Sequence, residues 1–85
     1  MKNELDSRFI LSVFEKIKTH GKEDQEGHIL EGVRAYTDFD GYTLFLQDAS
    51  VLLSFGFHNQ YHFQYEKAEQ VEQFEKKLQH IHANY

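Results

Sequence analysis

Residues 40–66, DGYTLFLQDASVLLSFGFHNQYHFQYE, decide the fold. They contain three runs, Tyr42 to Gln47, Val51 to Phe57 and Tyr61 to Tyr65, rich in aromatic and aliphatic residues and bounded by Asp, Gly, Ser and Asn. That is the composition of pleated strands and their turns. Upstream, Ile29 to Phe39 runs into Asp40-Gly41, a dipeptide that tolerates the positive φ angles of a type I′ hairpin turn. The expectation is a four-stranded antiparallel meander.

Side chains alternate faces along a strand, so loop parity decides which residues share a face. With Asp40-Gly41 as a two-residue turn, Phe39 faces Tyr42, Thr37 faces Leu44 and Ala35 faces Leu46. An even loop near Asp48 to Ser50 sets Leu44 opposite Phe55 and Leu46 opposite Leu53. An odd loop, His58-Asn59-Gln60, sets Phe57 against Tyr61, Phe55 against Phe63 and Leu53 against Tyr65. One face then carries almost every large apolar side chain. The other has three rows: Asp38, Thr43, Gly56, His62; Tyr36, Phe45, Ser54, Gln64; and Arg34, Gln47, Leu52, Glu66. Antiparallel sheets commonly leave one face in water, so this second face is either a solvated surface or a docking site.

Helices flank the sheet. From Asn3 to His20 the residues Leu5, Phe9, Ile10, Val13, Phe14 and Ile17 recur at helical spacing over nearly half the circumference. Asn3 or Asp6 caps the start, and Gly21 closes the end in a left-handed conformation. Lys22 to Gly27 reads as a short charged linker. From Lys67 to Asn84 a second helix carries Val71, Phe74, Leu78 and Ile81, then Tyr85, in a stripe about 80° wide, narrower than the roughly 100° of a helix seated in a core. It either leans on the first helix or pairs with a second copy of the chain, as monomer or homodimer. The order helix, four strands, helix gives an α+β two-layer sandwich, a single domain over residues 1–85, with both helices on the apolar face.

Composition narrows the function. With 40% hydrophobic residues and no proline, the 85-residue chain should fold by itself. No cysteine is present, so disulfide, thiolate and cysteine-zinc chemistry are excluded. The start, MKNELDSRF, lacks the apolar core of a signal peptide, and no apolar run approaches the ~20 residues of a membrane span. A cytoplasmic protein without membrane contact is expected. A net charge of -5 disfavours nucleic acid.

Four constellations suggest chemistry. Six histidines invite a metal, but His80 and His82 point about 200° apart on their helix, and Asp38 lies about 14 Å from His62 in this register. His58 and His62 lack a third ligand, so no metal site and no cofactor is expected. Ser54 and His62 are diagonal neighbours, near the geometry of a nucleophile and its base, yet nothing supplies a carboxylate or oxyanion donors. Tyr36 beside Phe45 resembles a base-stacking platform, but Arg34 is the only cation on that face, and a stabilising cross-strand pair explains them. Gly56 beside Thr43 either floors a shallow groove or marks a bulge.

At FDGYTLFLQD and FGFHNQYHFQY, and at the start NELDSRFILSVFEKI, the chain resembles an uncharacterised family of small bacterial proteins, a domain of unknown function, over nearly its whole length. The resemblance implies a bacterial cytosolic origin and supplies no catalytic residues. The expected function is a small non-catalytic interaction or regulatory module with a protein partner, using Tyr36, Asp38, Thr43, Phe45, Ser54, Gly56 and His62 on the sheet or the second helix. The alternative is a small-ligand or metal-binding protein built around Thr43, Gly56 and His62.

Overall fold

The computed structural model describes residues 6–39, 41–56 and 60–85. In chain order it has α1 (Ser7–His20), β1 (Lys22–Asp24), β2 (Gly27–Leu30), β3 (Val33–Thr37), β4 (Leu44–Gln47), β5 (Leu52–Phe55), β6 (Tyr61–Gln64) and α2 (Ala68–Asn84). The strands form one antiparallel sheet in sequence order. The α+β class stands; the sheet has six strands rather than four.

Both additional strands come from a stretch whose polarity hides its pairing. Lys22 to Gly27, expected as a linker, supplies β1 and the start of β2, with Lys22 opposite Ile29 and Asp24 opposite Gly27. All three residues of β1 are exposed, so no hydrophobic alternation marks it. Ile29 to Phe39, expected as one run, is broken at Glu31-Gly32, where φ is 55° and 80°. Two consecutive positive φ angles make the two-residue turn of a right-twisted hairpin, here closed by Leu30 opposite Val33.

The next reversal is wider than an Asp40-Gly41 turn. Asp38 N–H donates to the Thr43 carbonyl at 3.1 Å, Gly41 N–H to the Asp38 carbonyl at 3.1 Å, and Thr43 N–H to Asp38 Oδ1 at 3.2 Å. Asp40 lies outside the described residues. Loop parity is unchanged, so Thr37 faces Leu44 and Ala35 faces Leu46 as expected, followed by Leu44 with Phe55 and Leu46 with Leu53. The last pairing is displaced by two residues: Phe55 faces Tyr61 and Leu53 faces Phe63. A slip of two keeps every side chain on its face, because the period is two. Phe57, His58 and Asn59 lie outside the described residues.

Ile10, Val13, Phe14 and Ile17 of α1, Phe74, Leu78 and Ile81 of α2, and Val33, Ala35, Leu46, Leu53 and Phe55 of the sheet join Val51 in one buried cluster. Burying each large side chain contributes about 1.5–3 kcal/mol, against the chain entropy that folding removes. Asp6 caps α1 by accepting from Arg8 N–H at 3.1 Å. Gly21 does not close α1 in the left-handed region: its φ is -83° and its ψ 171°. Close approach explains the glycine instead, since a Cβ there would stand 2.5 Å from the Ile17 carbonyl oxygen and 2.7 Å from that of Ile29. At the start of α2, Gln70 Oε1 accepts from Lys67 N–H at 3.1 Å.

The middle of the α2 seam is buried inside the chain. Phe74, Leu78 and Ile81 have no exposed surface, Val71 packs at the margin, and Tyr85 donates its hydroxyl to Glu31 Oε2 at 2.6 Å. Phe74 meets Phe63 edge-on at 6.3 Å, and His82 meets Phe9 at 5.0 Å. A narrow stripe suffices for packing within the chain because α2 touches both α1 and β6, and only Val71 and Tyr85 of the five keep exposed surface.

Candidate functional site

The face of the sheet opposite Ala35, Leu46 and Leu53 carries the residues singled out in the sequence. Cross-strand pairing aligns Tyr36, Phe45, Ser54 and His62 in one row and Arg34, Gln47, Leu52 and Gln64 in the next. Tyr36 stacks on Phe45 with ring centroids 4.9 Å apart and planes 18° from parallel. The Tyr36 hydroxyl donates to Gln47 Oε1 at 3.0 Å, which ties the two rows together. Tyr36, Phe45, Leu52 and Ile29, the last opposite Arg34, are all half-buried and form a partly exposed apolar centre.

The structure separates the expected site into two groups. His62 faces Ser54, not Gly56, because of the two-residue displacement. Asp38, Thr43 and Gly56 gather one step further along, at the end of the sheet, where Thr43 Oγ1 lies 3.5 Å from the position a Cβ on Gly56 would take. The expected row of Thr43, Gly56 and His62 is therefore not formed, and His62 lies diagonal to Gly56 on the same face. No side-chain hydrogen bond joins Ser54 to His62.

Sequence reasoning missed the other end of the row. Arg34 Nη1 lies 2.7 Å from both carboxylate oxygens of Asp24 and 3.9 Å from Glu26 Oε1. The Arg34 guanidinium, helped by the Glu26 amide, holds the Asp24 carboxyl below its usual range, and Asp24 raises Arg34 in return. Gly27, opposite Asp24, has φ 132°, with its missing Cβ position 2.4 Å from the Ala35 carbonyl oxygen and 2.9 Å from Tyr36 Cβ. Around this hairpin tip opens a cleft of about 640 Å³, lined among others by Phe14, Lys18, His28, Arg34, Tyr36 and Thr37. The one signal for it in the sequence is Gly27, which appears only as the end of a polar stretch.

The histidines of α2 diverge. His80 Nε2 stands 3.8 Å from Glu31 Oε2, while His82 lies on Phe9 with its Nδ1 3.3 Å from Ser12 Oγ. Among the described residues no group of three or more His, Asp or Glu side chains is placed to hold a metal ion, and no helix is long and apolar enough to cross a membrane.

No curated protein and no solved structure matches the chain. A family profile does, over residues 5–85, nearly the span over which FDGYTLFLQD and FGFHNQYHFQY carry the resemblance. The chain belongs to the family described as "Protein of unknown function (DUF3081)".

Proposed function

We propose that this protein is a small non-catalytic interaction module of the bacterial cytoplasm, a single domain that docks a protein partner on the sheet face bearing Tyr36 and Phe45. Both helices would cover the opposite face, a placement supported by the one cluster that unites Ile10, Val13, Phe74 and Leu78 with Ala35, Leu46 and Leu53. The observation that carries the reading is the stacked Tyr36–Phe45 pair, half-exposed beside Ile29, Leu52 and Arg34 and ringed by Gln47, Ser54, His62 and Gln64. An apolar centre with aromatics and an arginine inside a polar rim is the anatomy of a small protein interface. Side chains of Ser54 and His62 that share no hydrogen bond support a binding role over a hydrolytic one. Net charge of -5, with Arg34 occupied by Asp24, argues against nucleic acid. To test the reading, the full chain is used to capture partners from its native cytoplasm. A protein recovered by wild type and by Leu11→Glu, but lost with both Phe45→Glu and Leu52→Glu at unchanged fold, supports it; equal recovery by all four refutes it.

A second reading rests on the 640 Å³ cleft, which falls within the roughly 300–1,000 Å³ of small-ligand sites. Lys18 and His28 at its wall would suit an anionic metabolite. Titration with small mono- and dicarboxylates, followed by backbone NMR, should shift Lys18, His28 and Thr37 while leaving Ser54 and His62 in place. Absence of any saturable shift there removes this reading.

A further inference from the structure

The two edges of the sheet are built differently. Natural edge strands are blunted by charge, proline or shortness, because an open row of backbone groups invites pairing with another strand. β1 follows that rule: it is three residues long, Lys22-Glu23-Asp24, all charged and all exposed. β6, Tyr61-His62-Phe63-Gln64, has no lysine, carboxylate or proline and, among the described residues, is paired only to β5. In a chain of net charge -5, residues 60–65 contain no acidic side chain.

The hydrogen-bonding pattern shows which backbone groups this edge presents. Antiparallel partners alternate between hydrogen-bonded and non-bonded pairs. Gly56 N–H donates to the Gln60 carbonyl at 3.0 Å, so counting by two makes Ser54–His62 and Leu52–Gln64 bonded pairs and Leu53–Phe63 a non-bonded one. Counting from the other side agrees: Asp48 N–H donates to the Val51 carbonyl, which turns Leu53 toward β4. His62 and Gln64 therefore spend their N–H and C=O on β5. Phe63 directs its own outward, along the open edge.

We propose that β6 pairs antiparallel with β6 of a second copy, about a two-fold axis normal to the sheet that passes beside Phe63. The occupant follows from parity. Such an axis places core-side residues opposite core-side residues, and only a centre on a residue with outward backbone groups closes hydrogen bonds on the axis itself. Phe63 meets both conditions: it packs against the core at its margin, and its backbone faces out. In this register the two Phe63 residues exchange N–H to C=O bonds and His62 lies opposite the copy's Gln64 on the outer face. The partner covers the half-exposed side of Phe63, which the chain alone leaves at the rim of its core. Two six-stranded sheets become one, and the two Tyr36–Phe45 centres come to lie on a continuous face.

Charge at His62 and Gln64 tests this without touching the core, since both side chains are exposed. Three forms of the full chain are compared by sedimentation velocity and native mass spectrometry up to about 200 μM: wild type, His62→Lys with Gln64→Lys, and His62→Glu with Gln64→Glu. Wild type should show twice the chain mass. Each double variant, with like charges directly opposite across the axis, should dissociate roughly tenfold or more readily while its circular dichroism stays that of the folded wild type. Mixing the two variants should restore a dimer containing one of each. Hydrogen exchange should protect the Phe63 amide in the dimer and leave it open in the monomeric variants. A monomeric wild type, a dimer indifferent to these charges, or variants that fail to recombine would each overturn the proposal. So would a Phe63 amide that is protected while the chain remains monomeric.

Discussion

Tyr36 and Phe45 face one another across β3 and β4 with their rings stacked, while their neighbours Ala35 and Leu46, one residue away on the same strands, are buried at 1% exposure. The pleat therefore divides this hairpin sharply, with the core on one side and an aromatic surface on the other. An aromatic pair kept at an open face contributes about 0.5–1.5 kcal/mol through ring geometry, far less than burial would return.

That division predicts the order of two truncations. Phe55, 7% exposed between Leu44 and Tyr61, should cost about 3–5 kcal/mol on replacement by alanine. Phe45→Ala should cost about 1–2 kcal/mol, the stacking plus part of its burial. Urea unfolding of the two variants decides the matter, and a costlier Phe45 would mean that the faces are exchanged.

Two glycines at positive φ should differ by their backbone angle and their surroundings. Gly32 has φ 80° and open space where a side chain would go, so Gly32→Ala should cost about 1–2 kcal/mol from backbone conformation alone. Gly27, at φ 132°, lies further from the left-handed region and adds an approach of 2.4 Å to the Ala35 carbonyl oxygen, so Gly27→Ala should cost clearly more and should disturb the Asp24–Arg34 pair. Equal melting temperatures for the two variants would count against the close packing of the hairpin tip.

The contrast between these turns also explains what the sequence could reveal. Strands β4 and β5 were legible because Leu44, Leu46, Leu53 and Phe55 bury one face, and burial writes alternation into the chain. β1 buries nothing, so Lys22-Glu23-Asp24 looks like a linker, and only pairing with β2 reveals it. Glu31-Gly32 was missed because glutamate seldom adopts positive φ; here its carboxylate is engaged by Tyr85, a contact 54 residues away. The displacement of His62 has a similar origin, since loop parity fixes faces but not rows. The candidate site was thus legible in its members Tyr36 and Phe45, and illegible in the long-range pair Asp24–Arg34 that bounds it.

Glu75 should be a residue the fold carries at a cost. It is 8% exposed on α2, and burial, with Glu72 one turn away, raises its carboxyl above the ordinary value. A carboxyl raised in the folded state keeps its proton there longer than in the unfolded chain, so stability falls as pH rises through that window and stays lower at neutral pH. Glu75→Gln should then stabilise the protein by roughly 0.5–1 kcal/mol at pH 7. The gain should vanish below the ordinary carboxyl value of 4.5, where both side chains are neutral. A gain that persists at that lower pH would point to packing instead of charge.

Asp48 should behave in the opposite sense. Its side chain is 5% exposed, lies 2.9 Å from Lys77 Nζ, and accepts N–H bonds from Ser50 and Val51 at 2.8 Å. Burial alone would raise its carboxyl, but the Lys77 ammonium and the two amides outweigh burial and hold it below the ordinary value of 3.8. A carboxyl depressed in the folded state contributes stability that is fully present above the unfolded value and is lost as pH falls through the folded one. Lys77→Met removes the principal opposing charge and leaves burial resisted only by the amides. The Asp48 carboxyl should then rise, and acid unfolding should begin at a higher pH, with a loss of roughly 1–3 kcal/mol at neutral pH. Because the Lys77 side chain is 41% exposed, added salt should weaken its share but not that of the amides. Carboxyl-detected NMR titration of wild type and Lys77→Met measures this directly, and an Asp48 resonance that titrates identically in both would show that the amides alone set its charge.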